Sequence, residues 1–502
     1  MAQAPPTDLP PEGSGIAVET DQGSVRGTRA QRFARRPWFT RFWVLIIAVT
    51  ALAAGLRLWH LSSPHTYVFD EVYYAKDACY DAGIPWQQCQ LQGPGEQTFT
   101  VHPPLGRWII AGGVAAFGNR PFGWRIASAI AGTVSVLLAG ILGFRLFGSA
   151  LWGAVSGLLL ATEGLNLVQS RVSMLDIFLT VFVVAGFLFL VLDRQWAQRR
   201  TPELAPTGQF EPLALPPDRV PSPIVRPWRI AAGLAFGAAV ATKWSGAQAL
   251  LAAIVLSVIW ERGRRARAGI DGPFWEGLRE ESFGIFVFLV LVPIAVYMAS
   301  YLRWWVDHGF ALSDWWSVQK GMADYSIHLR ATHPYASAAW KWILLMRPVA
   351  YYYQCAKTCS TPAEIIALGN PMIFWGSLIA LPYAAVAGWR RRDWVAGFII
   401  ATVAFQYLPW FLVARTSFFF YMAPITPFLV LAVVYGLRDL AAARVGEMSL
   451  AWVAGVLVVL SVGMFFFFWP VYVGDPISHA AWQQRIWFGC SAGQRWCFWN
   501  WV

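Results

Sequence analysis

The sequence predicts an all-α integral membrane protein with about eleven transmembrane helices. Of its 502 residues 57% are hydrophobic and only 13% charged. With a mean hydropathy of +0.46, the chain carries more apolar surface than a soluble core of that size can use. Apolar runs of the length a hydrocarbon core demands recur at 42–61, 125–147, 149–168, 174–192, 229–246, 247–260, 283–302, 371–389, 394–413, 417–437 and 449–470. Basic clusters fall in alternate short connections, at 26–41, 194–229, 262–279 and 390–392, which by the positive-inside rule places these and the N-terminus in the cytoplasm. The net charge of +11 therefore reports topology, and no basic-aromatic platform for nucleic acid accompanies it.

Residues 1–40 hold Pro, Gly and Arg with almost no periodic apolar positions, and read as a disordered cytoplasmic tail. Because so many polar residues precede it, the first run is expected to be a retained anchor, not a cleavable signal peptide. A membrane domain is expected over 41–470, with long external loops at 62–124 and 303–370 and an extracytoplasmic tail at 471–502. In the first loop, "FDEVYYAKDACYDAG" reads as a short amphipathic surface helix ending near Gly83. "HPPLGRWIIAGGVAAFG" reads as a second, opened by Pro103 and Pro104. Residues 200–228 form a Pro-rich cytoplasmic linker. The loop at 303–370, rich in Trp, Tyr and His, suits the cover of a site at the bilayer surface, and the tryptophans of the last tail suit the interface.

The cysteines agree with this layout. Cys79, Cys89, Cys355, Cys359, Cys490 and Cys497 all lie in segments assigned to the outside, in three close pairs. That pattern points to disulfides in an oxidising compartment. Nearest-neighbour pairing is the preferred of 15 connectivities. Metal ligation is disfavoured, since no pair has CxxC spacing or a neighbouring histidine set.

Ionisable groups collect at the external span ends. They are Asp70 and Glu71, His102 before two prolines, Arg171 in "QSRVSMLD", Lys243 in "ATKWSG", and Arg415 between the ninth and tenth runs. Charges at such depth are costly and usually line a polar site. Each also has an ordinary role. Asp70 can cap a helix and Glu71 complement its dipole. Arg171 and Lys243 can snorkel, His102 can fix its loop, and Asp176 can pair with an arginine inside the bundle. The aromatic run "FFFYM" at 418–422 reads as lipid-facing packing.

"FDEVYYAKDA", "HPPLGRWII", "QSRVSMLDIFLT", "ATKWSG" and "FLVARTSFFFYMAPITPFLVLAV" resemble, in this order, the signature segments of the protein O-mannosyltransferases. The resemblance implies an eleven-span GT-C fold and inverting transfer of mannose from a polyprenyl phosphate to Ser or Thr of secreted proteins. The external loop at 303–370 leaves no room for the β-trefoil insert of fungal and animal members, so the likeness is to the bacterial branch.

That chemistry gives the candidates roles. A hydroxyl nucleophile needs a base, assigned to Asp70, with Glu71 holding the sugar or the acceptor backbone. The leaving phosphate needs positive charge, which Arg171, Lys243 and Arg415 can supply, with His102 as a further substrate contact and Asp176 as a structural partner. No cofactor is assigned, and a divalent metal is compatible. The partners implied are the polyprenyl-phosphate-mannose donor, Ser/Thr-rich polypeptides delivered at the Sec translocon, and membrane lipids. The rival within the fold is a lipid-phosphate-sugar transferase with a lipid or glycan acceptor. A secondary transporter is the rival outside it. That reading predicts inverted repeats and broken helices at mid-membrane, and no repeat of one half in the other is found.

Overall fold

A computed structural model describes residues 37–93, 101–200, 226–267, 275–355, 359–489 and 499–501. It is helical almost throughout. In chain order come α1 (Pro37–Leu58), α2 (Glu71–Asp81), α3 (Leu105–Phe117), α4 (Pro121–Phe147), α5 (Ala150–Ala161), α6 (Gly164–Arg171), α7 (Leu175–Arg200), α8 (Pro227–Thr242) and α9 (Gly246–Arg267). Next is α10 (Trp275–Phe286), joined through a π-turn at Val287–Leu291 to α11 (Val292–Ser300), then α12 (Leu302–His308) and α13 (Leu312–His328). An antiparallel hairpin, β1 (Val349–Gln354) with β2 (Ala363–Ala367), precedes α14 (Pro371–Arg391), α15 (Trp394–Tyr407) and α16 (Thr426–Ala442). A small ribbon, β3 (Arg444–Val445) with β4 (Met448–Ser449), leads to α17 (Ala451–Val473) and α18 (His479–Gln483).

Among the described residues eight helices are long and apolar enough to cross a membrane, or nine if the bent pair α5–α6 counts as one span. Each of the eleven apolar runs corresponds to helix in the structure. Two of them fall short of a full span: α8 with 16 residues and α16 with 17. The expected tail at 1–40 loses its last residues to α1, which starts at Pro37; residues 1–36 lie outside the described residues, as do 201–225 of the Pro-rich linker.

The break between α5 and α6 bends the chain by 60° and exposes backbone groups where lipid cannot satisfy them. Polar side chains take their place. Glu163 accepts from Leu165 N at 3.1 Å, from Asn166 N at 2.6 Å and from Asn370 N at 3.0 Å. Asn370 Nδ2 donates to Thr162 O at 3.1 Å and Ser461 O at 2.8 Å, so α14 and α17 are fastened to the bend. Gly164 fits there because a Cβ would sit 2.5 Å from Leu368 O. Arg57, wholly buried at the end of α1, donates to Asn166 Oδ1 at 2.6 Å.

At the opposite ends of the helices a second buried network links Asp193 of α7, Arg226 and Arg229 at the start of α8, Glu261 of α9 and Glu281 of α10. In the C-terminal tail one tryptophan is taken into the fold. Trp501 is buried and its indole donates to Leu345 O at 2.7 Å, since a tryptophan N–H taken from water needs an acceptor. Cys79–Cys89 and Cys355–Cys359 are disulfide-bonded; Cys490 and Cys497 lie outside the described residues.

Candidate active site

The acidic helix α2 divides its carboxylates between two tasks. Glu71 is fully buried, its oxygens accepting from Arg125 Nε and Nη2 at 2.8 Å each, from Val68 N at 2.8 Å and from Ser173 N at 2.9 Å. Asp77, also fully buried, pairs with Arg107 of α3 at 3.2 Å. These pairs bolt α2 onto α3, α4 and the start of α7. Glu71 thus stands apart from the place expected for it on sugar or acceptor, because four donors already fill its lone pairs.

Asp70 differs from both. It occupies the N-cap position with helical backbone, φ −71° and ψ −1°, and its side chain makes no capping hydrogen bond. The capping role foreseen from sequence is not realised, because a cap requires extended backbone at that residue. Withdrawal from water raises its pKa to about 7, with Lys243 opposing the rise and Asp176 adding to it.

Lys243 is the C-cap residue of α8 and is buried. Its Nζ donates to both oxygens of Asp176, at 2.9 and 3.0 Å. The partner of Asp176 is therefore a lysine of the site, not the arginine that was expected. Nζ also lies 4.6 Å from the centre of the Tyr421 ring and 5.8 Å from that of Phe420. Arg415, half-buried, reaches the same Tyr421, donating to its hydroxyl at 3.4 Å. The run at 418–422 is accordingly no lipid-facing stretch: Phe419, Phe420, Tyr421 and Met422 form a buried 3-10 turn in which the Phe420 ring faces Lys243 and the Tyr421 ring faces both Lys243 and Arg415.

His102 is half-buried beside Tyr74, its ring 6.3 Å from the tyrosine ring. Burial and the cations Lys243, Arg415 and Arg107 hold it well below the usual histidine range, so it stays neutral at physiological pH. Arg171 is not gathered into this cluster. Its guanidinium donates to the carbonyls of Leu56 (3.2 Å), Arg57 (3.1 Å) and Trp59, and to that of His60 at 3.5 Å, closing the C-terminal end of α1. A cation on the last carbonyls of a helix is well placed for the dipole.

Sequence reasoning missed Tyr351, Tyr421, Phe69 and Arg107. The hairpin brings Tyr351 in from far along the chain, and its hydroxyl accepts from Gln169 Nε2 at 2.8 Å. The only local signal was the density of aromatics in "AYYYQ" and "FFFYM". Among the cavities around the cluster, two bear on substrate binding. One, of about 620 Å³, is lined by His102, Arg107, Trp108, Tyr301, Trp304 and Tyr325. The other is an apolar groove of about 560 Å³ running from Trp244 past Leu250 and Ile254 to Pro293 and Tyr297. Among the described residues no group of three or more His, Cys, Asp or Glu is placed to hold a metal ion.

Comparisons with known proteins converge. Residues 47–204 match a family model described as dolichyl-phosphate-mannose-protein mannosyltransferase, and residues 311–491 match the C-terminal four TMM region of protein-O-mannosyltransferase. The chain is 31% identical over 492 residues to a polyprenol-phosphate-mannose–protein mannosyltransferase of Mycolicibacterium smegmatis strain MKD8, covering 89% of this chain and 92% of that one. It is 32% identical over 495 residues to the protein of the same name from Mycobacterium tuberculosis strain H37Rv, covering 89% and 91%. In fold it is similar to the S. cerevisiae protein O-mannosyltransferase Pmt1-Pmt2 complex bound to the sugar donor, with a TM-score of 0.71 at 14% identity over 89% of this chain and 92% of that chain. ArnT from Cupriavidus metallidurans bound to undecaprenyl phosphate gives 0.52 at 15% identity, covering 87% and 77%.

Proposed function

Since the chain belongs to the protein O-mannosyltransferase family, we propose that it transfers mannose from polyprenyl-phosphate-mannose to Ser or Thr hydroxyls of proteins at the extracytoplasmic face. The observation that carries the mechanism is the contrast within one helix turn: Glu71 is consumed by Arg125, while Asp70, its neighbour, makes no capping hydrogen bond and lies close enough to Lys243 and Asp176 to feel their charges.

Asp70 takes the proton from the acceptor hydroxyl as its oxygen attacks the anomeric carbon. The bond from that carbon to the phosphate oxygen breaks, and the phosphate leaves with the electron pair. Attack from the face opposite the leaving group inverts the anomeric centre. No acid is required, because the leaving group, polyprenyl phosphate, is a phosphate monoester that departs as a stable anion; it requires positive charge. Lys243 has three N–H donors, two of which meet Asp176, leaving one for a phosphate oxygen. Arg415, joined to Lys243 through the Tyr421 ring, adds the second charge as it builds on the leaving group. His102 lies on the side of the larger cavity, where the acceptor enters. The apolar groove beginning at Trp244, next in the chain to Lys243, takes the polyprenyl tail.

The basic loops set the topology, with the N-terminus cytoplasmic and the site extracytoplasmic, where a polypeptide emerging from the Sec translocon meets it unfolded. The test is direct. Purified protein is incubated with polyprenyl-phosphate-mannose and a Ser/Thr-rich peptide, and mass spectrometry looks for one added hexose on a hydroxyl residue. Mannose found on lipid or glycan and never on peptide would overturn this reading in favour of the other acceptor class.

A further inference from the structure

Phe69 stands immediately before Asp70 with φ +50°, in the left-handed region. A bulky aromatic residue is a rare occupant there, because its Cβ crowds the following carbonyl oxygen. Glycine would adopt the same turn freely. What holds Phe69 in place is its ring. It stacks on Tyr351 with centroids 4.4 Å apart and planes 8° from parallel, and meets Phe420 edge-on at 5.7 Å. Tyr351 is fixed in turn by its place on β1 and by Gln169, a fully buried residue of α6, which donates to its hydroxyl. Strained backbone survives only where the surroundings over-determine it, and such places gather at functional sites.

We propose that Phe69 is a positioning residue: the clamp on its ring by Tyr351 and Phe420 imposes the left-handed turn that aims the Asp70 carboxylate into the site and keeps water from it. The inference rests on the reading of Asp70 as the base. Asp70 itself has ordinary helical backbone, so the direction of its side chain is inherited from the turn before it. Phe420 also faces Lys243, so one aromatic cluster spans the base and the cation, and a shift of the ring at 69 alters the distance between them.

The experiment compares Phe69→Gly, Phe69→Tyr and Asp70→Asn in the full-length protein, measuring kcat, the KM for polyprenyl-phosphate-mannose, and the pH dependence of kcat. Phe69→Gly keeps the turn permitted but frees the carboxylate. Its kcat is expected to fall about 10- to 100-fold, as for a small misplacement of a reacting group, with the donor KM little changed. The acid limb of its pH profile moves to lower pH, because a hydrated carboxyl ionises more readily. Phe69→Tyr, which retains the ring, restores both the rate and the limb.

A wild-type rate and limb in Phe69→Gly would overturn the proposal. So would equal losses in Phe69→Gly and Phe69→Tyr with the limb unmoved, since that is what plain packing predicts. Wild-type turnover by Asp70→Asn would instead remove the base, and the role of Phe69 with it, whereas an inactive Asp70→Asn beside a normal Phe69→Gly overturns the clamp alone. If Phe69→Gly fails to reach the membrane, Tyr351→Leu removes the same contact from the other side and is held to the same results.

Discussion

Adjacent carboxylates in one stretch can have opposite fates, and Glu71 and Asp70 show how burial decides between them. Removing charge from Glu71 leaves Arg125 buried without its partner, a loss of about 3 to 5 kcal/mol by the usual cost of breaking a buried pair. Glu71→Gln is therefore expected to lower the thermal midpoint sharply, or to lose expression, before any effect on chemistry can be read; a thermal-shift assay in detergent checks it. Arg171→Ala should behave in the same way, since its guanidinium closes the end of α1. Arg415→Ala is the contrasting case. The residue is half-buried and its guanidinium meets Tyr421, so the protein should fold, while transfer falls about 10² to 10³ as for the loss of one electrostatic donor. Steady-state rates at saturating donor, beside the thermal midpoints, separate the two kinds of arginine. The sequence announced that these groups are ionisable and lie at span ends. It could not announce their partners, because Glu71 and Arg125 are 54 residues apart and Lys243 and Asp176 are 67 apart.

Element by element, hydropathy made the bundle legible and hid its irregularities. Every apolar run has its helix, because lipid leaves a spanning backbone no other way to satisfy its N–H and C=O groups. Run length alone, however, could not reveal that the run at 149–168 is broken into α5 and α6, since Leu, Gly and Ala are apolar in either geometry. The polar residues inside that run, Thr162, Glu163 and Asn166, were the signal, and Asn370 is the distant half of the staple. Replacing Asn370 by Ala removes two donor contacts to buried carbonyls, each left unsatisfied at about 1 to 3 kcal/mol. The expected outcome is a destabilised protein in which the α6 end, and with it Gln169 and Tyr351, is loosened; a lowered thermal midpoint with slowed transfer is the result to look for. The hairpin was not legible at all. Its Tyr-rich strand lies in the loop read as a cover for the site, and Tyr351 is the residue that the β1–β2 pairing skips at a bulge between Ala350 and Tyr352, where its ring stacks on Phe69.

On the scale of the whole molecule, charge separates the two ends of the bundle. A buried Asp193, Arg226, Arg229, Glu261 and Glu281 network closes one end, while Asp70, Lys243, Arg415 and, among the described residues, two disulfides lie at the other. In sealed vesicles the cysteines at 79, 89, 355 and 359 should resist thiol reagents from the cytoplasmic side and react from outside only after reduction. The Cys79–Cys89 bridge spans ten residues and should stabilise by about 2 to 3 kcal/mol in the chain-entropy picture. On the proposed reading of the site, a single substitution is decisive. Asp70 makes no cap hydrogen bond, so Asp70→Asn is expected to remove the proposed base and little else. With purified protein, saturating polyprenyl-phosphate-mannose and acceptor peptide, the wild-type rate should rise with pH through about 7, where the carboxyl loses its proton. The Asn variant should keep its thermal midpoint and its donor binding while peptide mannosylation drops about 10² to 10⁴, the usual contribution of a positioned base. Wild-type turnover by that variant, at any pH, would contradict the account.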